Sequence, residues 1–476
     1  MIKITLGQKY SQGNVLIFTN EKNEFDASYF NKEELSYIKR EHDAKRKTVL
    51  INQYHRWVII QQKSGKDASK LEQLRKAGDV IAAHLNKHQQ TNLSIISNKA
   101  DEQSLAIAEG IALGNYQFIV YRKENNTELN SLKNVIICNS KLNTSEVAEK
   151  NILAEAVYRV RDLVNTPTSH QNAKDLANSF AVMGKESGFK TEIFNKAKIK
   201  ALKMGGLLAV NAGSVDEPTF TTMEYKPAKP SNKKPYVLVG KGVVYDTGGL
   251  SIKPTGNSMD YMKCDMAGSA VVAGTMYAIA KMKLPIHIIG LTPATDNRPG
   301  FNAFAPGDVI HMMSGTSVEM LNSDAEGRMI LADALHYAKQ YNPELVCEFS
   351  TLTGAAAAAI GHYGIVCMGT ANEKIKNGLK QSGDNTYERL VEFPFWEEYD
   401  ELLKSDIADC KNIGGANAGA ITAGRFLQKF TDYPYMHFDI AGPAFVKTRD
   451  SYRGKDATGI GVRLMVDFLS KKAGKK

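Results

Sequence analysis

The stretch NSDAEGRMIL, residues 322–331, sets Asp324, Glu326 and Arg328 at every second position and then runs into an apolar helical pattern. Two further junctions of this kind lie upstream. YVLVGKGVVYDTGGLSIKP leaves a β-rich run with Lys241, Asp246, a Gly248-Gly249 turn and Lys253. MDYMKCDMAGSA offers Asp265 where an N-cap belongs, ahead of a helix rich in alanine and glycine. Singly, each residue has a plain reading: Asp265 or Asp324 as a helix cap, Lys241 as a solvated loop lysine, Arg328 as a first-turn surface residue. Jointly they read differently. Four carboxylates converging at one sheet edge repel unless cations hold them, and a pair of divalent ions is the natural resolution. Oxygen ligands with one amine favour zinc, manganese or magnesium over a thiolate-selected metal. No His-Glu-x-x-His motif is present, which excludes a thermolysin-type zinc site.

Such residues need strands and helices that end at one place. At 476 residues the chain is too long for one ordinary core, so two domains are expected. Residues 1–148 are lysine-rich and glycine-poor. SKLEQLRKAGDVIAAHLNKH and DEQSLAIAEGIALGNYQF carry the spacing of amphipathic helices, and NVIIC (134–138) reads as a strand. This predicts a small N-terminal α/β domain. A linking helix over 149–166 follows, ended by Asn165 and Pro167. Residues 167–476, which carry all three junctions, are expected to form the second domain. Its candidate strands are TEIFN, GLLAVNAG, YVLVGKGV, IHIIGLTPAT, ELVCEFSTL, IVCMG and MHFDIAG, with helices over 171–187, 266–283 and 326–341. Several strands are apolar on both faces, as in a covered sheet. The expectation is a mixed, mostly parallel β-sheet sandwiched by helices, with its site at the carboxyl edges of the strands.

Composition narrows the classes further. No run of about 18 apolar residues suggests a membrane span. The N-terminus, MIKITLGQKYSQGNVLIF, does not read as a signal peptide. Five scattered cysteines without a Cys-x-x-Cys pair suit a reducing compartment and a cytoplasmic protein. The formal charge of +9 lies in diffuse lysines, without a zinc finger or aromatic-interleaved basic motif. A solvated basic surface is expected rather than a nucleic-acid partner.

Six segments in order, VGKGVVYDTGGLSIKP, MKCDMAGSA, NSDAEGR, STLTGA, SDIADCKNIGG and HFDIAGPA, resemble the leucyl aminopeptidase (cytosol aminopeptidase) family across about residues 150–476. The resemblance implies removal of the N-terminal residue, leucine-like but broad, from peptides through a hydroxide bridged by two metals. It implies Lys241 and Asp265 at the tighter metal, Asp246 and Glu326 as bridges, and Asp324 at the more exchangeable site. Lys253 corresponds to the catalytic lysine and Arg328 to the arginine that holds bicarbonate as the general base. Met262, Asn322, Thr351, Gly354 and Ala441 fall where the family lines its pocket for the first side chain. Zinc or manganese is the expected ion, with magnesium or cobalt also fitting the ligands, and a homo-hexamer is the expected assembly. The sequence departs from the family in a loop one residue longer between Lys253 and Asp265. Ser323 stands for a usual threonine and Ala267 for a usual glycine. Alternatives are a narrow dipeptidase such as a cysteinylglycine hydrolase, a phosphoesterase, and a DNA-binding or scaffolding protein that keeps the site as a relic.

Overall fold

Short apolar runs alternate with helices along the whole chain, and they build two α/β units in the computed structural model, which describes residues 1–8, 10, 13–19, 24–123 and 128–474. The first unit comprises Met1–Tyr158 with Arg449–Gly454, and the second Arg159–Thr448 with Lys455–Lys476.

The first unit contains strands β1 (Lys3–Gly7) and β2 (Val15–Phe18), helix α1 (Lys32–Asp43), then β3 (Thr48–Asn52) and β4 (Trp57–Gln61). Helix α2 (Ala68–Lys87), β5 (Asn92–Ile96), α3 (Asp101–Gly114) and β6 (Asn134–Cys138) follow. Helix α4 (Thr144–Asn165) runs across the division between the units. Its sheet has the order β1-β6-β5-β2-β4-β3, parallel except for β3. Local signals start the helices. Asn31 and Glu34 form a reciprocal capping box on α1, and Asp67 accepts from Lys70 N at the head of α2. Val15, Ile17, Val58 and Ile60 supply one core of this unit.

The second unit opens with α5 (Ala173–Ser187), β7 (Lys190–Phe194), α6 (Lys196–Ala201), α7 (Gly205–Asn211) and β8 (Thr219–Tyr225). Next come β9 (Tyr236–Gly240), β10 (Gly242–Asp246), α8 (Ala267–Lys281) and β11 (Ile288–Asn297). Strands β12 (Asp308–His311) and β13 (Ser317–Met320) precede α9 (Glu326–Ala338) and β14 (Leu345–Ser350). Helix α10 (Gly354–Ile360), β15 (Ile365–Gly369), α11 (Glu373–Thr386), β16 (Leu390–Glu392) and β17 (Cys410–Lys411) continue the chain. Helix α12 (Gly419–Gln428), β18 (Tyr435–Asp439) and α13 (Val462–Lys472) complete the main elements.

The central sheet runs β16-β15-β18-β14-β9-β11-β8-β7, with β10 on β11. Its middle strands β18, β14, β9 and β11 are parallel, whereas β8 and β7 add an antiparallel margin. Helices cover both faces. On one side α8 is buried along nearly its whole length, with α5 and α13 beside it. On the other, Ile330, Leu331 and Leu335 of α9 pack with Val237, Val239, Ile289 and Val346. This is the mixed α/β sandwich expected from the sequence.

Three details differ from the sequence reading. GLLAVNAG is not a strand: it lies in and just beyond α7, whose Leu207 and Val210 are buried. A short apolar run bounded by glycine fits a buried helical turn as well as a strand. YVLVGKGV is two strands divided at Lys241. The helix expected over 326–341 ends at Ala338, with a 3₁₀ turn over Lys339–Tyr341. Among the described residues no helix is long and apolar enough to cross a membrane. All five cysteines are free and buried.

Candidate active site

The parallel strands deliver their carboxyl ends to one edge, and the charged turns lie there. Lys241 follows β9. Its N–H donates to Phe349 O at 3.0 Å and its carbonyl accepts from Ser269 N at 2.9 Å, so β14 and α8 hold its backbone from both sides. Asp246 ends β10 in register with Asn297, the last residue of β11. The Gly248-Gly249 turn that follows has φ of +86° and +61°, a conformation glycine adopts without steric penalty. It closes when Lys253 N donates to Thr247 O at 2.9 Å. The Ser323 hydroxyl donates to Gly248 O at 2.6 Å and accepts from Ser251 N at 2.7 Å, tying this turn to the head of α9.

The side chains form one buried network. Lys241 Nζ lies 2.9 and 2.7 Å from the two Asp265 oxygens, 2.8 Å from Glu326 Oε1 and 3.2 Å from Thr351 O. Lys253 Nζ lies 2.8 Å from Asp246 Oδ2 and also pairs with Asp324 Oδ1. Thr351 Oγ1 donates to Asp265 Oδ1 at 2.7 Å. Asp246, Asp265 and Glu326 each bring one oxygen within 4.8 Å of the others.

Burial is the dominant electrostatic force here. It pushes the Asp246, Asp265 and Asp324 carboxyls above their usual range, and neighbouring carboxylates add to the effect. It also works against both ammonium groups. The surrounding acids, Asp265 first for Lys241 and Asp246 first for Lys253, outweigh it and hold both lysines protonated. Four acid side chains share two ammonium groups, and the buried Glu326 Oε2 has no hydrogen-bond partner. An oxygen-rich cluster short of positive charge fits divalent cations, with Lys241 as a nitrogen donor once it loses its proton.

Arg328 is buried rather than on the surface, which overturns its plain reading. Burial pulls its pKa down to about 10 against the opposing pull of Glu326 and Asp439. Its Nη1 donates to Asn412 O at 2.7 Å. Asp265 is not the N-cap of α8: Met266 holds that position, and neither it nor Ala325 at α9 makes a side-chain capping bond. The Asp265 carboxylate turns to Lys241 and Thr351 instead.

A cavity of about 530 Å³ opens beside the cluster. Lys241, Asp246, Lys253, Asp265, Asp324 and Arg328 reach its wall, together with Met262, Asn322, Thr351, Gly354 and Ala441. Glu326 lies behind it, bonded to Lys241. Tyr261, Leu352 and Ile413 also line the cavity; they lie inside MDYMKCDMAGSA, STLTGA and SDIADCKNIGG but were not singled out there. Three further polar residues were given no role, although Asn412 and Asp439 lie inside SDIADCKNIGG and HFDIAGPA. Asn297 Nδ2 donates to Asp246 Oδ1 and to Ser323 O, both at 2.9 Å. Asn412 accepts from Leu321 N and donates to Asn322 O, both at 2.9 Å. Asp439 accepts from Leu352 N at 3.2 Å, Thr353 Oγ1 at 2.7 Å and Ala441 N at 3.1 Å. Asn297 ends β11, all ten residues of which are buried.

Comparison with known proteins agrees with this geometry. The sequence model of the cytosol aminopeptidase family, catalytic domain, matches residues 158–466. A probable cytosol aminopeptidase of Chlorobaculum tepidum is 42% identical over 451 residues, covering 87% of this chain and 88% of that protein. One of Chloroherpeton thalassium is 48% identical over 322 residues, 67% of this chain and 62% of the relative. A mutant of tomato leucine aminopeptidase superposes with a TM-score of 0.87 at 26% identity, covering 99% of this chain and 97% of that one. The bottromycin maturation enzyme BotP in complex with Mn gives 0.85 at 26% identity, over 99% and 100%. With these matches and a buried acid–lysine cluster at the sheet edge, the chain belongs to the cytosol aminopeptidase family and is an exopeptidase of the leucyl aminopeptidase type.

Proposed function

We propose that this metal-dependent aminopeptidase removes leucine-like and other apolar N-terminal residues, and that Lys241, Asp246, Asp265, Asp324 and Glu326 would hold two divalent ions. The observation that carries this is the cluster of three buried acid oxygens within 4.8 Å of one another beside a cavity of about 530 Å³. When bound, such a pair supplies Lewis-acid activation of water, whose pKa can fall to about 7. Lys241 can join as a ligand only as a neutral amine, so loading requires loss of its proton. Lys253 remains an ammonium and lines the cavity, where it can stabilise the oxyanion that develops on the peptide carbonyl.

Arg328 presents a planar fork suited to bicarbonate, which would supply a general base because the acids are committed to cations. Met262, Asn322, Thr351, Gly354 and Ala441 form the wall assigned to the first side chain. Apolar pockets discriminate by only about 1–3 kcal/mol per methylene, so breadth is expected. Zinc or manganese as the resident ions, a homo-hexamer and a cytoplasmic location complete the proposal, supported by family membership. The deciding assay is leucinamide hydrolysis by chelated protein, then by protein reloaded with zinc or manganese. Activity should vanish and return, and N-acetyl-leucinamide should resist cleavage. Full activity after chelation, or cleavage of the blocked substrate, would refute the assignment.

A further inference from the structure

Asp246 is held by a neighbour that is no ligand itself. Asn297 is wholly buried at the end of β11, and its single amide nitrogen donates two hydrogen bonds. One goes to Asp246 Oδ1 at 2.9 Å and the other to Ser323 O at 2.9 Å, immediately before Asp324. The orientation of the amide is fixed by chemistry. Turning it over would aim Oδ1 at a carboxylate oxygen and a carbonyl oxygen, three acceptors together. Its backbone contributes too, since Asn297 O accepts from Thr247 N at 3.1 Å and Thr247 Oγ1 at 2.8 Å. Asp246 Oδ1 also accepts from Gly248 N at 2.8 Å, which leaves Oδ2 as the oxygen turned to Lys253.

We propose that Asn297 is a positioning residue for metal loading, which fixes the rotation of the Asp246 carboxylate and its separation from the turn bearing Asp324 and Glu326. Acids from different segments can serve one ion pair only if their spacing is set before the ions arrive. One amide bonded to Asp246 and to the backbone carbonyl just before Asp324 supplies that spacing. This rests on the assignment of Asp246, Asp324 and Glu326 as ligands. Outer partners of this kind govern affinity, and losing one weakens metal binding about 10–100-fold.

The test compares Asn297→Ala with Asn211→Ala. Asn211 is an equally buried amide that bonds Thr295 Oγ1 at 3.1 Å and Asp216 O at 2.7 Å, and it touches none of the assigned ligands. Metal-free protein of each kind is titrated with Mn²⁺ by calorimetry, and the thermal midpoint of the metal-free form is recorded. Asn297→Ala should bind Mn²⁺ about 10–100-fold more weakly. Asn211→Ala should lose thermal stability but keep wild-type affinity. Equal affinity changes in both variants, or none in either, would overturn the proposal. Where the alanine variant does not fold, Asn297→Ser is read by the same criteria. Wild-type protein that binds no Mn²⁺ would instead refute the ligand assignment itself.

Discussion

Gly327 sits between Glu326 and Arg328 with the Lys241 side chain lying across it. A Cβ added there would fall 2.7 Å from Lys241 Nζ and 2.9 Å from its Cδ, and against Cε. Ordinary non-bonded contacts need about 3.5–4.0 Å, so Gly327→Ala must displace the amine by about 1 Å. The pairs of Lys241 with Asp265 at 2.7 Å and Glu326 at 2.8 Å then lengthen beyond hydrogen-bonding distance. A shift of about 1 Å at a reacting centre can lower turnover about 10²-fold. Stability changes less. Alanine favours a helix by up to about 1 kcal/mol over glycine, whereas deleting one partner of a buried ion pair costs about 3–5 kcal/mol. Displacement is milder than deletion, so a net loss of about 1–3 kcal/mol is expected. The assays are Mn²⁺ titration of metal-free protein, leucinamide kinetics and urea unfolding. A double variant with Lys241→Ala isolates the cause, because Gly327→Ala should bring no further loss of metal affinity or stability once the lysine is gone. Folded Gly327→Ala with wild-type metal affinity and turnover would refute the reasoning.

Lys253→Ala should lower kcat about 10²–10³-fold while both metals stay bound, as judged by metal analysis of the purified protein. Metal loss would instead make Lys253 part of the ligand-holding framework. Arg328→Ala should abolish any activation by added bicarbonate, and unchanged activation would remove the arginine from that role. Asp333, buried on α9, accepts from Leu207 N at 3.0 Å and Met313 N at 2.9 Å. Burial nonetheless pushes its pKa up to about 7 from 3.8. A raised acid binds its proton more tightly in the folded state, so this contribution to stability falls as pH climbs from 3.8 to about 7 and is level above. Urea unfolding across that window should show wild type losing stability relative to Asp333→Asn; parallel curves would refute it.

The sequence carried the parts of this fold that repeat locally. IVCMG and MHFDIAG read correctly because each is an apolar run bounded by glycine or a turn, and the helices over 173–187 and 267–281 because their periodicity is long. GLLAVNAG failed because seven residues of α7 are too few for helical periodicity to show. The gathering of Lys241, Asp246, Lys253, Asp265, Asp324, Glu326 and Arg328 was legible because they cluster in three strand-to-helix junctions, where a core element has no need of charge. The roles of Asn297 and Asn412 were not legible, although Asn412 lies inside the quoted segment SDIADCKNIGG. Each acts on partners 51 and about 90 positions away, and a lone asparagine at a strand end has no pattern to distinguish it from a turn residue.

Asp439 joins Leu352, Thr353 and Ala441 through one carboxylate, so two stretches of the cavity wall hang from a common strut. Widening one stretch by substitution therefore drags the other. Room for a bulkier occupant is more readily made at Met262 or Tyr261, on a segment outside that strut.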